Sequence, residues 1–168
     1  MSAQARRPFD LSGYVERVRN SPCFICRIVA GTHDQPTHLV HRDDRHIAFL
    51  PSFHVLRGYV LVSPLEHREA VAADFTEEEY LDLQRLVRRI ALALEQVCPT
   101  ERIYVLSLGS AQGNSHVHWH VVALPPGVPY DDQQFRSLMA ETTGVLDLSN
   151  DDQAELAKSL CAALADVP

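Results

Sequence analysis

Lysine is all but missing from this 168-residue chain: Lys158 is the only one among 15 lysines and arginines. Phosphate recognition, if the chain performs any, must therefore come from arginine, histidine or backbone N–H groups. The formal net charge is −7, and no basic stripe of the kind that binds duplex nucleic acid is present. A nucleic-acid partner is not expected. No apolar run approaches the length of a membrane span. The opening Met1-Ser2-Ala3-Gln4-Ala5-Arg6-Arg7-Pro8 lacks the apolar centre of a secretory signal, so a cytoplasmic protein without a membrane partner is expected. Four cysteines in a chain expected to be cytosolic argue against a disulfide framework. Cys98 and Cys161, each alone in a helical pattern, read as buried small apolar residues. A Gly-Lys-Ser/Thr ending is absent too, which removes P-loop ATPase chemistry, and there is neither an internal repeat nor a low-complexity stretch.

What is present reads as one α+β domain, since 168 residues suffice to bury roughly two-thirds of the unfolded surface. Residues 1–12 are expected to be mobile, with a short helix following at Tyr14–Asn20. Strands are expected at Thr37–Arg42, His46–Leu50 and Gly58–Ser63, with a turn at Arg42-Asp43-Asp44-Arg45. One long helix starts at the capping box of Thr76 and Glu79, with Glu77 and Glu78 at its positive end. It carries Leu83, Leu86, Val87, Ile90, Leu94 and Val97 at helical spacing and stops before Pro99. Arg102–Leu108 alternates like a strand and leads into the loop Gly109-Ser110-Ala111-Gln112-Gly113-Asn114-Ser115. Beyond Pro125-Pro126-Gly127, two helices are expected at Asp131–Thr142 and Asp151–Ala165. From Val128 onward eight acids face two bases, giving −6 of the total −7 and leaving the first 127 residues near neutral, at −1. A near-neutral body can accept an anionic ligand.

The residues that carry chemistry stand in His116-Val117-His118-Trp119-His120-Val121-Val122. In a strand the three histidines share one face, roughly 6–7 Å apart, and Val117, Trp119 and Val121 fill the other. Such a row suits a wet edge strand, a metal site, or a catalytic strand in which one neutral imidazole attacks while its neighbours hold a phosphate or a metal. Cys23-Phe24-Ile25-Cys26 could be redox-active, zinc-binding or accidental; it does not sit in the βα setting of a thioredoxin-like motif. In the loop before the histidines, glycine permits close backbone approach and Gln112, Asn114 and Ser115 offer donors to phosphate oxygens. His33, His38 and His41 read as solvated, His46 begins a strand, and His54 either lines a pocket or caps a turn.

The histidine run matches the His-φ-His-φ-His-φ-φ signature (φ apolar) at every position, and so resembles the histidine-triad (HIT) superfamily of nucleotide hydrolases and transferases. The likeness extends to Cys23–Gly31, which is similar to the Cys-x-x-Cys segment of the zinc-containing bacterial-type branch, and to His46–Leu50 and Arg57–His67, similar to its first core strands. The resemblance implies an antiparallel sheet meander with one long helix and additional C-terminal helices. Residues 13–127 would be the HIT domain and residues 128–168 an acidic helical extension packed on it. It further implies that His118 is the nucleophile toward the α-phosphorus of a nucleotide, and that His120 contacts phosphate and can donate a proton to the leaving group. Cys23, Cys26, His67 (in Pro64-Leu65-Glu66-His67) and His116 would form a closed structural Zn²⁺ site, and the chain would be a homodimer.

Two departures from the family pattern bear on substrate. The loop before the triad is shorter or differently shaped, which leaves open which of Gln112, Asn114 and Ser115 contacts phosphate. Where family members carry a ribose-binding acid or amide, this chain has Pro51-Ser52, which moves that contact to Ser52 or His54. The expected activity is hydrolysis of a phosphoanhydride or phosphoramidate bond in a dinucleoside polyphosphate or nucleoside phosphoramidate. A nucleotidyltransferase or phosphorylase, a zinc-stabilised nucleotide-binding module without turnover, and a redox or metal sensor built on the cysteines are the alternatives.

Overall fold

The computed structural model describes residues 5–108 and 115–168. Along the chain lie β1 (Arg6–Arg7), α1 (Leu11–Asn20), α2 (Phe24–Val29), β2 (Leu39–Arg42), β3 (His46–Phe49), β4 (Tyr59–Pro64), α3 (Glu77–Val97), β5 (Arg102–Leu106) and β6 (Trp119–Leu124). A 3₁₀ turn (Tyr130–Asp132), α4 (Phe135–Leu138), α5 (Ala140–Thr143), β7 (Val145–Leu146) and α6 (Asn150–Asp166) complete it. Five strands make one antiparallel sheet in the order β2-β3-β4-β6-β5, the α+β antiparallel sheet with one long helix that the sequence implies, with β6 lying between β4 and β5.

Alternation along the strands decides the two faces. Val60, Val62, Val121 and Ala123 point with Val117 and Trp119 into the main core, against Leu83, Leu86, Val87, Ile90 and Leu94 of α3. Helix α3 forms because the Thr76–Glu79 box closes its first turn: the Glu79 backbone N–H donates to the Thr76 hydroxyl (3.3 Å) and that of Thr76 donates to the Glu79 carboxylate (2.8 Å). Helix α6, capped by Ser149 and Asp152, lays Leu156, Leu160 and Leu164 on the same core. Each fully buried leucine or isoleucine there contributes about 1.5–3 kcal/mol of hydrophobic stabilisation. On the opposite face Ile47, Phe49 and Leu61 pack against Ile25 and Ile28 of α2.

Several boundaries differ from expectation, each for a local reason. The histidine strand enters its ladder at Trp119, not His116: the last β4–β6 pair is Val62 with Trp119, and Pro64, which the same register would set opposite Val117, has no N–H to give. Ser63, fully buried, bridges the gap by donating its hydroxyl to Val117 O (2.9 Å). Helix α2 escaped the hydrophobic period because it has only six residues. The single helix expected over Asp131–Thr142 is broken where Gln134 adopts φ 57°, leaving a 3₁₀ turn and two helices of four residues each. Cys98 is buried, but Cys161 is exposed, its thiol donating to Val40 O at 3.2 Å. Within the first twelve residues, Arg6 and Arg7 pair with β7, and α1 begins at Leu11 because Asp10 caps it through the Gly13 N–H (3.0 Å).

His54 is 1% exposed, and neither of its ring nitrogens has a hydrogen bond of good geometry. Burial pushes its pKa from 6.5 to about 4; nearby Gln153 and the Leu56 backbone oppose this, while Arg57 and His38 add to it. Between those two values the unfolded chain binds a proton that the folded chain refuses, so stability is complete above pH 6.5 and is lost as pH falls toward 4. At about 1.4 kcal/mol per pH unit, His54 accounts for about 3 kcal/mol of acid sensitivity. Urea midpoints measured from pH 7 to pH 4 should fall less steeply in His54→Leu than in the wild type; parallel curves would contradict this.

Candidate functional site

The site lies where α2, the end of β4 and the start of β6 meet. His118 stands immediately before β6. Its Nδ1–H donates to the carbonyl of His116 at 2.8 Å, and a carbonyl can only accept, so Nε2 carries the lone pair. The His118 ring lies 4.7 Å from that of His120 and 6.3 Å from that of Phe24. His120 shares a hydrogen bond with the Tyr59 hydroxyl at 2.7 Å through Nδ1. Tyr59 reaches it because β4 and β6 pair Leu61 with His120, placing Tyr59 two residues along on the same face. Gly58 makes this close pairing possible: a Cβ there would come within 2.8 Å of Ala123 Cβ. Burial lowers the pKa of His118, and burial with the adjacent His118 lowers that of His120 to about 3. Both rings are neutral at pH 7. Burial likewise holds the Tyr59 hydroxyl protonated.

His116 faces away from this pair toward the cysteines. Cys23 Sγ lies 3.5 Å from His116 Nδ1, Cys26 Sγ 3.5 Å from the same atom, and Cys26 Sγ 3.3 Å from His67 Nδ1. All four donor atoms lie within 4.8 Å of one another. A tetrahedral zinc with two sulfur and two nitrogen ligands has edges of about 3.3–3.8 Å, so the set fits that ion. The far sides of both rings fit it too: His116 Nε2–H donates to Pro64 O at 3.1 Å and His67 Nε2–H to the Glu69 carboxylate at 3.2 Å, which puts the lone pair of each ring on the Nδ1 that faces the cysteines. Cys23 caps α2, its sulfur accepting from the Cys26 N–H at 3.4 Å. Burial and the adjoining Cys23 thiol push the Cys26 thiol to about 11, and burial holds His116 near 4.

His120, Ser115, Ser52, Phe24 and Tyr59 line an open cleft of about 1160 Å³. His118 is not in that lining itself but stands beside two rings that are. Ser52 is exposed in the cleft, whereas His54 is buried outside it and bridges to Leu146. The Ser115 hydroxyl is engaged with the Glu69 carboxylate, which His67 and Ser115 together hold below its ordinary pKa. Gln112 and Asn114 lie outside the described residues. Sequence reasoning missed Tyr59, Phe24 and Glu69. Alternation could have put Tyr59 on the face shared with the histidines, but which histidine it meets depends on the register between two distant strands.

The HIT domain family model matches residues 32–126. "Protein hit" of Bacillus subtilis is 33% identical over 104 residues, 61% of this chain and 70% of that protein. An uncharacterized HIT-like protein of Saccharolobus solfataricus is 31% identical over 103 residues, 60% and 72% of the two chains. Among solved structures, a hypothetical histidine triad nucleotide-binding protein of Sulfolobus tokodaii superposes with a TM-score of 0.67 at 20% identity, covering 86% of this chain and 93% of its own. A Zn-bound histidine triad family protein of Mycobacterium smegmatis gives 0.65 at 23% identity, covering 89% and 96%. Below 25% identity these two likenesses speak for the fold alone, but the family match spans more than half of the chain and contains the whole histidine row, and this chain belongs to the HIT domain family.

Proposed function

We propose that this protein is a nucleotide hydrolase that cleaves a phosphoanhydride or phosphoramidate bond at the α-phosphate through a nucleotidyl-His118 intermediate. The observation that carries this reading is the His118 Nδ1–His116 O hydrogen bond of 2.8 Å, which commits the lone pair to Nε2 on a ring kept neutral by burial. In the first step that lone pair attacks the α-phosphorus, the P–N(His118) bond forms, and the P–O or P–N bond to the leaving group breaks with its electron pair, a leaving amine taking a proton from solvent as it departs. Positive charge develops on the imidazole and strengthens the bond from Nδ1–H to the His116 carbonyl. In the second step water adds to phosphorus, the pair returns to His118 Nε2, and the water proton passes to solvent.

His120, neutral with a pKa near 3, serves here as a phosphate hydrogen-bond donor rather than a store of protons. Tyr59 donates to its Nδ1, so Nε2–H meets the phosphate. Cys23, Cys26, His67 and His116 would hold zinc in a closed set whose role is to cross-link α2 to the catalytic strand. Ser52 supplies a polar group at the ribose end, and Gln112, Asn114 and Ser115 are proposed for the phosphate. A homodimer is also proposed. Strand β5 is an edge of the sheet with Val105 at 47% exposure, whereas the other edge, β2, meets Cys161 of α6. Among the described residues no helix is long and apolar enough to cross a membrane, and a cytoplasmic enzyme is the reading we adopt.

Mass spectrometry after brief incubation with adenosine phosphoramidate and diadenosine polyphosphates tests the mechanism. One AMP per chain, acid-labile and located on His118, is the expected result. Nucleotide binding with no adduct and no AMP release would move the protein to the binding-module class. Product analysis with and without inorganic phosphate separates hydrolysis from phosphorolysis.

A further inference from the structure

The cleft has a wall that the family match does not reach. Helix α1 precedes residue 32, where that match begins, yet Arg17 and Arg19 in its last turn line the same cleft as His120, as does Arg7 of β1. The helix has no fully buried residue, and its shown ring packing is that of Tyr14 on Phe9 and Phe53. It is held by its flanks: Arg6 donates to Val55 O at 2.7 Å, β1 pairs with β7, and Phe9 packs its ring against Phe53 with centroids 4.8 Å apart. Residues 5–27 contain five arginines and two acids, a charge of +3, so the remainder of the chain carries −10. Of the two acids, Asp10 is committed to capping α1. Arg7, Arg17 and Arg19 form no ion pair within 4.0 Å among the described residues, whereas Arg27 is engaged by Asp34. Asp10 also lines the cleft and interacts electrostatically with Arg17, so the wall is net positive rather than purely cationic, and in an otherwise acidic protein it concentrates anions at the cleft.

We propose that Arg17 and Arg19, with Arg7 beside them, form an anion subsite for a second phosphate of the substrate, remote from the phosphate at His118 and His120. This rests on reading the cleft as the nucleotide site. The second phosphate belongs either to a polyphosphate chain beyond the scissile bond or to the ribose. Guanidinium groups suit it because they can bind phosphate through paired N–H donors. The two arginines also complement the negative end of the α1 dipole, an effect confined to stability that leaves ligand preference unchanged.

Calorimetric titration of the full chain decides the matter, with AMP, ADP and adenosine 3′,5′-bisphosphate as ligands, for wild type, the double variant Arg17→Ala/Arg19→Ala and the charge-keeping Arg17→Lys/Arg19→Lys. Wild type should bind ADP or the bisphosphate about tenfold or more tightly than AMP, as one charge-assisted contact allows; which of the two is preferred identifies the source of the second phosphate. The alanine pair should erase that preference with AMP affinity within about twofold of wild type, and the lysine pair should keep part of it. Equal losses for all three ligands, or no change in any, would overturn the subsite. If wild type binds no nucleotide, the nucleotide-site reading fails first, and inorganic tripolyphosphate is titrated instead. Binding that disappears in the alanine pair upholds the anion subsite, and no binding to wild type overturns it.

Discussion

His118→Ala is expected to lower kcat/KM on order of 10⁴-fold, a loss of about 5 kcal/mol of transition-state stabilisation, while leaving the fold intact. The effect is large because no neighbour can replace the attacking atom. His116 is turned toward Cys23 and Cys26, and His120 has Nδ1 bound to Tyr59 and a pKa near 3. Tyr59→Phe separates attack from positioning. It removes only the hydrogen bond to His120, worth about 1–3 kcal/mol when the partner is left buried and unsatisfied, so turnover should fall tenfold to a hundredfold with the AMP adduct still forming. Single-turnover measurements on both variants, alongside thermal melts, check this. A His118→Ala protein with near wild-type turnover would remove the covalent mechanism, and a Tyr59→Phe protein as inactive as His118→Ala would make Tyr59 more than a positioning residue. Both imidazoles are held neutral by burial, so the rate should not rise as pH falls from 7 to 6. Protonation of His118, which burial pushes below the usual imidazole range, silences the nucleophile at lower pH.

How far the site could be read in advance depended on how local each signal is. The capping box and apolar stripe of α3 are complete within Thr76–Val97, and the structure has the helix there. The alternation from His116 to Val122 states its own geometry, and Val117, Trp119 and Val121 do pack into the core. The His118 and His120 rings approach to 4.7 Å, and His116 faces the cysteines. The second contact is not local, because it depends on where α2 lies in the fold. The gathering of Cys23, Cys26, His67 and His116 was implied by resemblance and not by spacing, since those residues are up to 93 positions apart (Cys23 to His116). Tyr59 could be placed on a face but not against a particular histidine, and the wall formed by α1 depends on Phe9 meeting Phe53, which no periodicity announces.

If Cys23, Cys26, His67 and His116 hold zinc as proposed, loss of one of them should reach the proposed active site as well as the fold. Cys26→Ser leaves three ligands, and α2, six residues long, cannot hold itself together as an isolated helix; only the packing of Ile25 and Ile28, with the partly buried Phe24 and Val29, would keep it on the sheet. Removing a structural metal ligand should cost about 3 kcal/mol or more, which for a chain of this length lowers the melting temperature by about 6–12 °C. The chemistry follows because His118 is oriented by the His116 carbonyl, and His116 is held by the same cluster and by Pro64 O. Freed from the cysteines, that backbone no longer fixes the His118 tautomer, so kcat should fall more than KM rises. Plasma emission on protein purified without chelator should find one zinc per chain in the wild type and far less in Cys26→Ser. Metal-free wild type should resemble the variant in both melting temperature and kcat, and added zinc should restore the wild type alone. Absence of stoichiometric zinc together with an unchanged melt in Cys26→Ser would sink the metal assignment, and the cluster would then be a thiol–imidazole packing contact with no bearing on His118.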